Sequence, residues 1–248
     1  MTLLVLFLAY ALALSMALGR AGHRCRAMPP PSEVNVAVTR LLIVGATGGT
    51  GRQLVQQALG RGYAVTALAR NPASLRIDHP HLTVVQGDVL DASTVERAMR
   101  GQQAVLSALG HRRYLAPTHI LSEGTRNILR AMQAHGVRRF VCETSLGLGD
   151  SAGRMGVYYT FFVIPVVLPF YFWDKTRQER AIAATDLDWV IVRPGVLTNG
   201  APRGRYRHGS HVGSFVWTVR IARADVAAFM LDQLASHTYL RRAVGVCW

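Results

Sequence analysis

From Arg40 to the end of the chain, apolar positions follow two alternating rhythms. RLLIVG (40–45) is a short, unbroken apolar run of the kind that fills a buried strand. Residues 49–62 change to helical spacing, with Leu54, Ala58 and Leu59 on one face and Gly62 as the stop. The same exchange then recurs. Strand patterns cover 63–70, 81–88, 103–110, 137–145 and 188–195, and a last one fits 243–247. Helical patterns cover 91–101, 118–135, 172–185 and 223–235. Strands separated by helices at this spacing predict an α/β fold, a doubly wound parallel sheet with helices on both faces. One domain, 40–248, accounts for the pattern, with no internal repeat. A small substrate-side lobe is expected from the stretches near 146–172 and 195–220.

Two stretches break the rhythm. Residues 3–18, LLVLFLAYALALSMAL, are almost wholly apolar, and Arg20, His23, Arg24 and Arg26 come after them. A secretory signal would carry its charge before the apolar run. Charge after it orients a membrane anchor with the main domain in the cytoplasm. The run is short for a span, which needs about 17–25 residues. Residues 1–19 are therefore read as an anchor or signal-like segment, or as an upstream extension before Met28, and 20–39 as a linker stiffened by MPPPSEV. The second stretch, 157–173, has no charge between Arg154 and Asp174, but Pro165 and Pro169 interrupt it. Lying between two strands of one sheet, it is expected as a lid, a dimer face or a membrane-skimming surface.

Composition narrows the functional classes. Of 248 residues, half are hydrophobic and 17% are charged, so a sizeable core is expected. The formal charge is +14, yet the basic residues are scattered and no RNA-binding signature appears, so no nucleic acid partner is expected. Cys25, Cys142 and Cys247 have neither metal-site nor disulfide spacing, so no metal is predicted and a reducing compartment fits. Of the 28 basic residues only one is Lys, and it is Lys175. Arg keeps its proton at any ordinary pH, whereas Lys can be tuned by burial. A lone lysine in an Arg-rich chain therefore draws notice.

The first strand runs into Gly45-Ala-Thr47-Gly48-Gly49-Thr50-Gly51, and a helix starts there. Glycine permits the tight turn, the approach of a pyrophosphate to the backbone, and close packing of helix on strand. The unpaired N–H groups of the helix start then face the anion. A dinucleotide site is the resulting expectation. The second strand ends at Arg70, where a cofactor without a 2′-phosphate would meet an acid, so NADP is favoured over NAD, with Arg52 as a helper. Asp88 and Val89 end the third strand near the adenine position. Ser107, Leu109 and Gly110 end the fourth, where the cofactor passes. Thr144, Pro194 and Val196 are placed beside the nicotinamide, at the ends of the fifth and sixth strands.

Taken in order, GATGGTG, ARNP, GDVLD, TRNILRAMQAHGVRRFV and RPGVLTNG resemble the atypical short-chain dehydrogenases. Among these the chain is similar to the NmrA-like and biliverdin reductase B or flavin reductase-like NAD(P)-binding proteins. The resemblance covers about residues 40–240. It implies a Rossmann fold with NADP(H) and a small-molecule substrate, and it leaves three functions open. They are hydride transfer to a flavin, quinone or carbonyl acceptor, non-catalytic NAD(P) sensing or assembly, and nucleotide-sugar epimerisation, for which the chain is short.

In the classical and extended members, a Ser after the fifth strand works with a Tyr and a Lys four residues apart on the next helix. There the Tyr moves the proton, the Lys tunes it and bonds the nicotinamide ribose, and the Ser polarises the carbonyl. The matching residues here are Ser145, Tyr171 and Lys175, with Tyr171 lying 26 positions after Ser145. On a helix, Tyr171 and Lys175 share a face. Pro169 puts Tyr171 in the first turn or outside the helix. His111, His208 and His211 are further proton-transfer candidates, and Arg203, Arg205 and Arg207 come after the sixth strand as a basic loop.

Overall fold

The computed structural model describes residues 9, 10, 13, 38–111, 113–114 and 116–248. The anchor expected at 3–18 lies outside them apart from Ala9, Tyr10 and Ala13. Among the described residues, no helix is long and apolar enough to cross a membrane.

Among the described residues ten strands form, in chain order β1 (Arg40–Val44), β2 (Ala64–Ala69), β3 (Leu82–Gln86), β4 (Ala104–Ser107), β5 (Arg139–Glu143), β6 (Asp188–Pro194), β7 (Val196–Thr198), β8 (Arg207–Gly209), β9 (Arg220–Ala222) and β10 (Arg242–Cys247). Five helices connect them: α1 (Gly49–Gly60), α2 (Ala92–Met99), α3 (Ile120–Ala134), α4 (Pro169–Ala183) and α5 (Arg223–Asp232). Eight strands make one sheet in the order β3-β2-β1-β4-β5-β6-β10-β8. All its pairs are parallel except β10 with β8. This is the doubly wound Rossmann arrangement. The chain moves outward through β2 and β3, then returns to place β4 on the other side of β1. Ligands of such sheets bind at that reversal. The register puts Val44 level with both Leu68 and Ser107, so the three strands end at one crevice.

The apolar pattern explains the layers. α1 packs with α5 on one face, while α2, α3 and α4 stack in series on the other. Leu41, Ile43, Leu54 and Ala58 belong to the first core; Leu42, Val44, Ile128 and Phe140 belong to the second. Alternate residues of β1 thus feed opposite layers, as a strand buried on both faces must.

The lobe is less regular. After β5 come a 3₁₀ turn (Gly149–Ser151) and a π-helical stretch (Tyr159–Val167) that contains Pro165. β7 and β9 pair in parallel as a separate two-stranded sheet. Leu146, Leu148, Met155, Ile164 and Phe172 form its own small core. Much apolar surface stays outside that core: Val157, Tyr158, Phe162 and Val166 on one segment, Phe215, Val216 and Trp217 on the other. The two segments are joined where the Gly156 amide donates to the Ser214 carbonyl (2.8 Å) and the Val157 amide to the Val216 carbonyl (3.2 Å). Tyr10 Oη donates to the Pro165 carbonyl at 3.5 Å.

α4 begins at Pro169, three residues earlier than the pattern predicts. Pro is at home there because the first helical N–H has no partner to lose. Tyr171 is therefore helical, in the first turn. The N-terminus of α3 is capped from a distance: both oxygens of Asp174 on α4 accept its amides, from Leu121 at 2.9 Å and Ser122 at 3.1 Å. Asp174 is 1% exposed. A cap of this kind contributes about 1 kcal/mol.

Candidate functional site: a dinucleotide cleft ending at a tyrosine and a lysine

A cleft of about 970 Å³ opens at the strand reversal. Its first end is the glycine turn. Gly45 has φ +80°, and a Cβ there would lie 2.4 Å from the Ala108 carbonyl oxygen. A Cβ at Gly51 would lie 2.0 Å from the Gly45 oxygen, so helix and strand touch through bare backbone. α1 follows Gly48, its N-cap, with no side chain capping its amides and no acid in its first turn. Free amides at the positive end of a helix, in a turn that no Cβ could enter, fit a pyrophosphate. Thr47, Gly48, Gly49 and Thr50 all face the cleft. Arg70 does as well, at the end of β2, and so do Asp88 and Val89 after β3. Asp88 is held by accepting the Leu90 amide at 3.0 Å.

The other end is built by Leu109 and Gly110 after β4 and by α4. The Tyr171 hydroxyl lies 3.6 Å from where a Cβ of Gly110 would sit, and the Lys175 ammonium lies 5.1 Å from the Tyr171 ring centre. His111 meets the Tyr171 ring edge-on at 4.9 Å, and Tyr114 meets it at 5.7 Å. His111 also shares a hydrogen bond with Thr118 at 2.9 Å. Burial, opposed by Asp174, holds the His111 imidazole below its ordinary value and so toward the neutral form. His208 stacks instead near Phe229 and Tyr239, and His211 bonds Arg154, away from this cleft. The basic loop is also turned elsewhere: the Arg203 amide is held by Asp225 and its guanidinium lies over Trp248.

Several expected residues do not line the cleft. The Ser145 hydroxyl donates to the Leu146 carbonyl at 3.0 Å. The Thr144 hydroxyl donates to Glu179 at 2.6 Å, on the opposite side of the strand end. Glu179 in turn binds Arg193 by two bonds, of 2.9 and 2.7 Å. The reason is the length of β5. It ends at Glu143 and not at Ser145, so the last strand side chain, not the serine, faces the cleft. Ser107, Gly51, Pro194 and Val196 lie behind the lining, with Leu197 facing in beside them. Arg52 donates to the Ser74 carbonyl at 2.8 Å and is not among the lining residues.

Three lining residues had no sequence signal. Arg223, at the start of α5, lies against the glycine turn: a Cβ on Gly49 would fall 2.5 Å from its side chain. Its guanidinium donates to Asn199 at 2.6 Å. Tyr114 comes from an irregular loop. Glu143 read only as a strand end, yet it is 6% exposed and accepts the Thr50 hydroxyl at 3.0 Å.

Known proteins with this arrangement agree. An NAD(P)H-binding family model matches residues 45–237. An uncharacterized chloroplastic protein of Arabidopsis thaliana is 30% identical over 186 residues, which is 70% of this chain and 64% of that one. The photosystem II assembly factor Ycf39 of Synechocystis is 28% identical over 218 residues, 81% of this chain and 61% of that one. The chain thus spans less than two thirds of the length of these relatives. Among solved structures, the ChuY anaerobillin reductase of Escherichia coli O157:H7 shares the fold with a TM-score of 0.68 at 24% identity, over 84% of this chain and 96% of that one. A short-chain dehydrogenase/reductase of Veillonella parvula in complex with NADP does so with a TM-score of 0.70 at 20% identity, over 84% and 94%. With the reversal of strand order and the glycine turn placed where a dinucleotide binds, the chain belongs to the NAD(P)H-binding family.

Proposed function

We propose that the protein is an NADPH-dependent reductase that delivers a hydride to a flavin, quinone or carbonyl acceptor. One observation carries this reading: a single cleft has the anion cradle and Arg70 at one end and Tyr171 with Lys175 at the other. The residues present fit the dinucleotide. The glycine turn and the amides of α1 would hold the pyrophosphate, and Arg70 would hold a 2′-phosphate. Bound there, the reduced nicotinamide supplies the hydride. The chain's own part is the proton. Tyr171 presents its hydroxyl beside Gly110, where it can donate to an acceptor oxygen or nitrogen. Lys175, 3% exposed, stabilises the negative charge that the phenol develops as its proton leaves. His111, edge-on to the Tyr171 ring and bonded to Thr118, can take up a proton from solvent and pass it to the phenolate.

The test is titration with NADPH and NADH, then turnover on FMN, menadione and simple aldehydes. Oxidation of NADPH by at least one acceptor is expected, with tighter binding of NADPH than of NADH. A second reading is a dinucleotide-binding assembly or sensing protein, favoured by the similarity to a photosystem II assembly factor. Tight NADPH binding without oxidation on any acceptor selects it.

The exposed apolar face of the lobe and the contact of Tyr10 with Pro165 support membrane attachment through residues 3–18. Under that arrangement the acceptor is a lipid-soluble quinone. The full chain should then float with lipid vesicles, and a chain starting at Met28 should bind them less.

A further inference from the structure

Lys175 and Glu143 are both buried in the wall of the same cleft, at 3% and 6% exposure. A cation taken out of water needs a counter-charge close by. The groups around Lys175 decide which one serves. On its own helix, Asp174 has both oxygens committed to the amides of Leu121 and Ser122. On β5, burial pushes the Cys142 thiol up to about 12, so it carries no charge at neutral pH. The β4–α3 loop supplies His111, which is uncharged and no counter-ion. Tyr171 offers a ring face and a hydroxyl. That leaves Glu143. Its other neighbours are the Thr50 hydroxyl from α1, which bonds it at 3.0 Å, and Arg223 from α5, whose guanidinium is held by Asn199.

We propose that Glu143 is a positioning residue for the Tyr171–Lys175 pair: the buried carboxylate that keeps Lys175 a cation at the reacting end of the cleft. Thr50 holds that carboxylate beside the glycine turn, in the same cleft wall as Lys175. The electrostatics agree in direction. Burial disfavours the Lys175 charge, but Tyr171 and Glu143 outweigh it, and the ammonium holds its proton more tightly than an ordinary lysine. Burial also raises Glu143 above the ordinary carboxylate range, with Lys175, Thr50 and Arg223 opposing. The catalytic consequence rests on the reductase reading; the charge coupling does not.

Because the chain has one lysine, the test is unusually direct. Full-length protein labelled with ¹³C at the lysine ε-carbon gives a single side-chain resonance. In the wild type it should stay at the ammonium position up to about pH 10, near the ordinary lysine value. In Glu143→Gln it should move to the amine position at least about one pH unit lower, a tenfold weaker hold on the proton. Glu143→Asp should restore wild-type behaviour. Identical titrations in wild type and Glu143→Gln would overturn the proposal. If Glu143→Gln does not fold, Glu143→Met poses the same question with an apolar side chain of similar volume.

NADPH oxidation supplies the second readout. The alkaline limb of kcat should shift down with the resonance in Glu143→Gln and return in Glu143→Asp. A shifted resonance in a protein that turns over no acceptor leaves the Glu143–Lys175 coupling standing and sinks the reductase reading. Turnover with an unshifted resonance sinks the role of Glu143 alone.

Discussion

The glycine turn and the lobe are both built on close backbone approach, and they use it in opposite ways. At Gly45 and Gly51 the missing side chains let strand, turn and helix meet backbone to backbone, and the uncapped helix start faces the cleft. At Gly156, with φ +88°, the same freedom brings Trp217 backbone to 2.5 Å from a would-be Cβ and leaves a surface of exposed rings. One region makes concave polar space, and the other makes convex apolar surface. The difference lies in the residues on the C-terminal side of each glycine. The helix after Gly48 starts with uncapped N–H groups facing the cleft, whereas at Gly156 the amides of Gly156 and Val157 are tied to the 214–216 segment and the residues that follow are apolar.

The largest expected effect falls on the first region. Gly45→Val places a branched side chain at positive φ against the Ala108 carbonyl. NADPH affinity should fall at least about 100-fold, roughly 2.7 kcal/mol, and fluorescence titration reads this directly. The lobe's counterpart, Gly156→Ala, should cost about 1–3 kcal/mol of stability through backbone strain while leaving NADPH affinity intact. If it weakened binding as much as Gly45→Val, the two regions would not be separable.

Arg70→Ala comes next. NADPH affinity should drop about tenfold, near 1.4 kcal/mol, with NADH unaffected. Equal losses for both cofactors would remove Arg70 from the 2′-phosphate. The pH dependence of stability is a subtler probe. Glu143 is raised by burial, so its contribution is full below the ordinary carboxylate range and is lost as pH rises through its raised value. Urea unfolding between about pH 4 and pH 8 should show that loss in the wild type and a flatter profile in Glu143→Gln. The smallest change is expected from Trp217→Ser. That ring is 77% exposed, and its removal should alter unfolding by no more than about 0.5 kcal/mol.

The same contrast governs what could be read without coordinates. The Rossmann half was legible because its strands are buried on both faces and its helices on one, so each element leaves a period in the sequence. The run 157–173 has no period, since a π-helical turn with Pro165 inside exposes apolar residues on several sides. The pairing of β7 with β9 joins segments far apart in the chain, which spacing cannot reveal. In the site, the glycine turn, Arg70, Tyr171 and Lys175 sit in local patterns. Arg223 and Tyr114 reach the cleft by tertiary packing alone. Ser145 was expected from a spacing, but where β5 stops decides which side chain faces in, and Glu143 holds that place.

Asp174 has a wider consequence. By capping α3 from inside α4, it welds two walls of the cleft into one block. Neither helix can tilt away from the other without stripping two buried amides of their acceptor. Under the proposed reductase reading, room for a bulkier or slimmer acceptor would come from the loop that carries His111 and Tyr114. Acceptor preference would then follow loop sequence, with the helix of Tyr171 and Lys175 held constant.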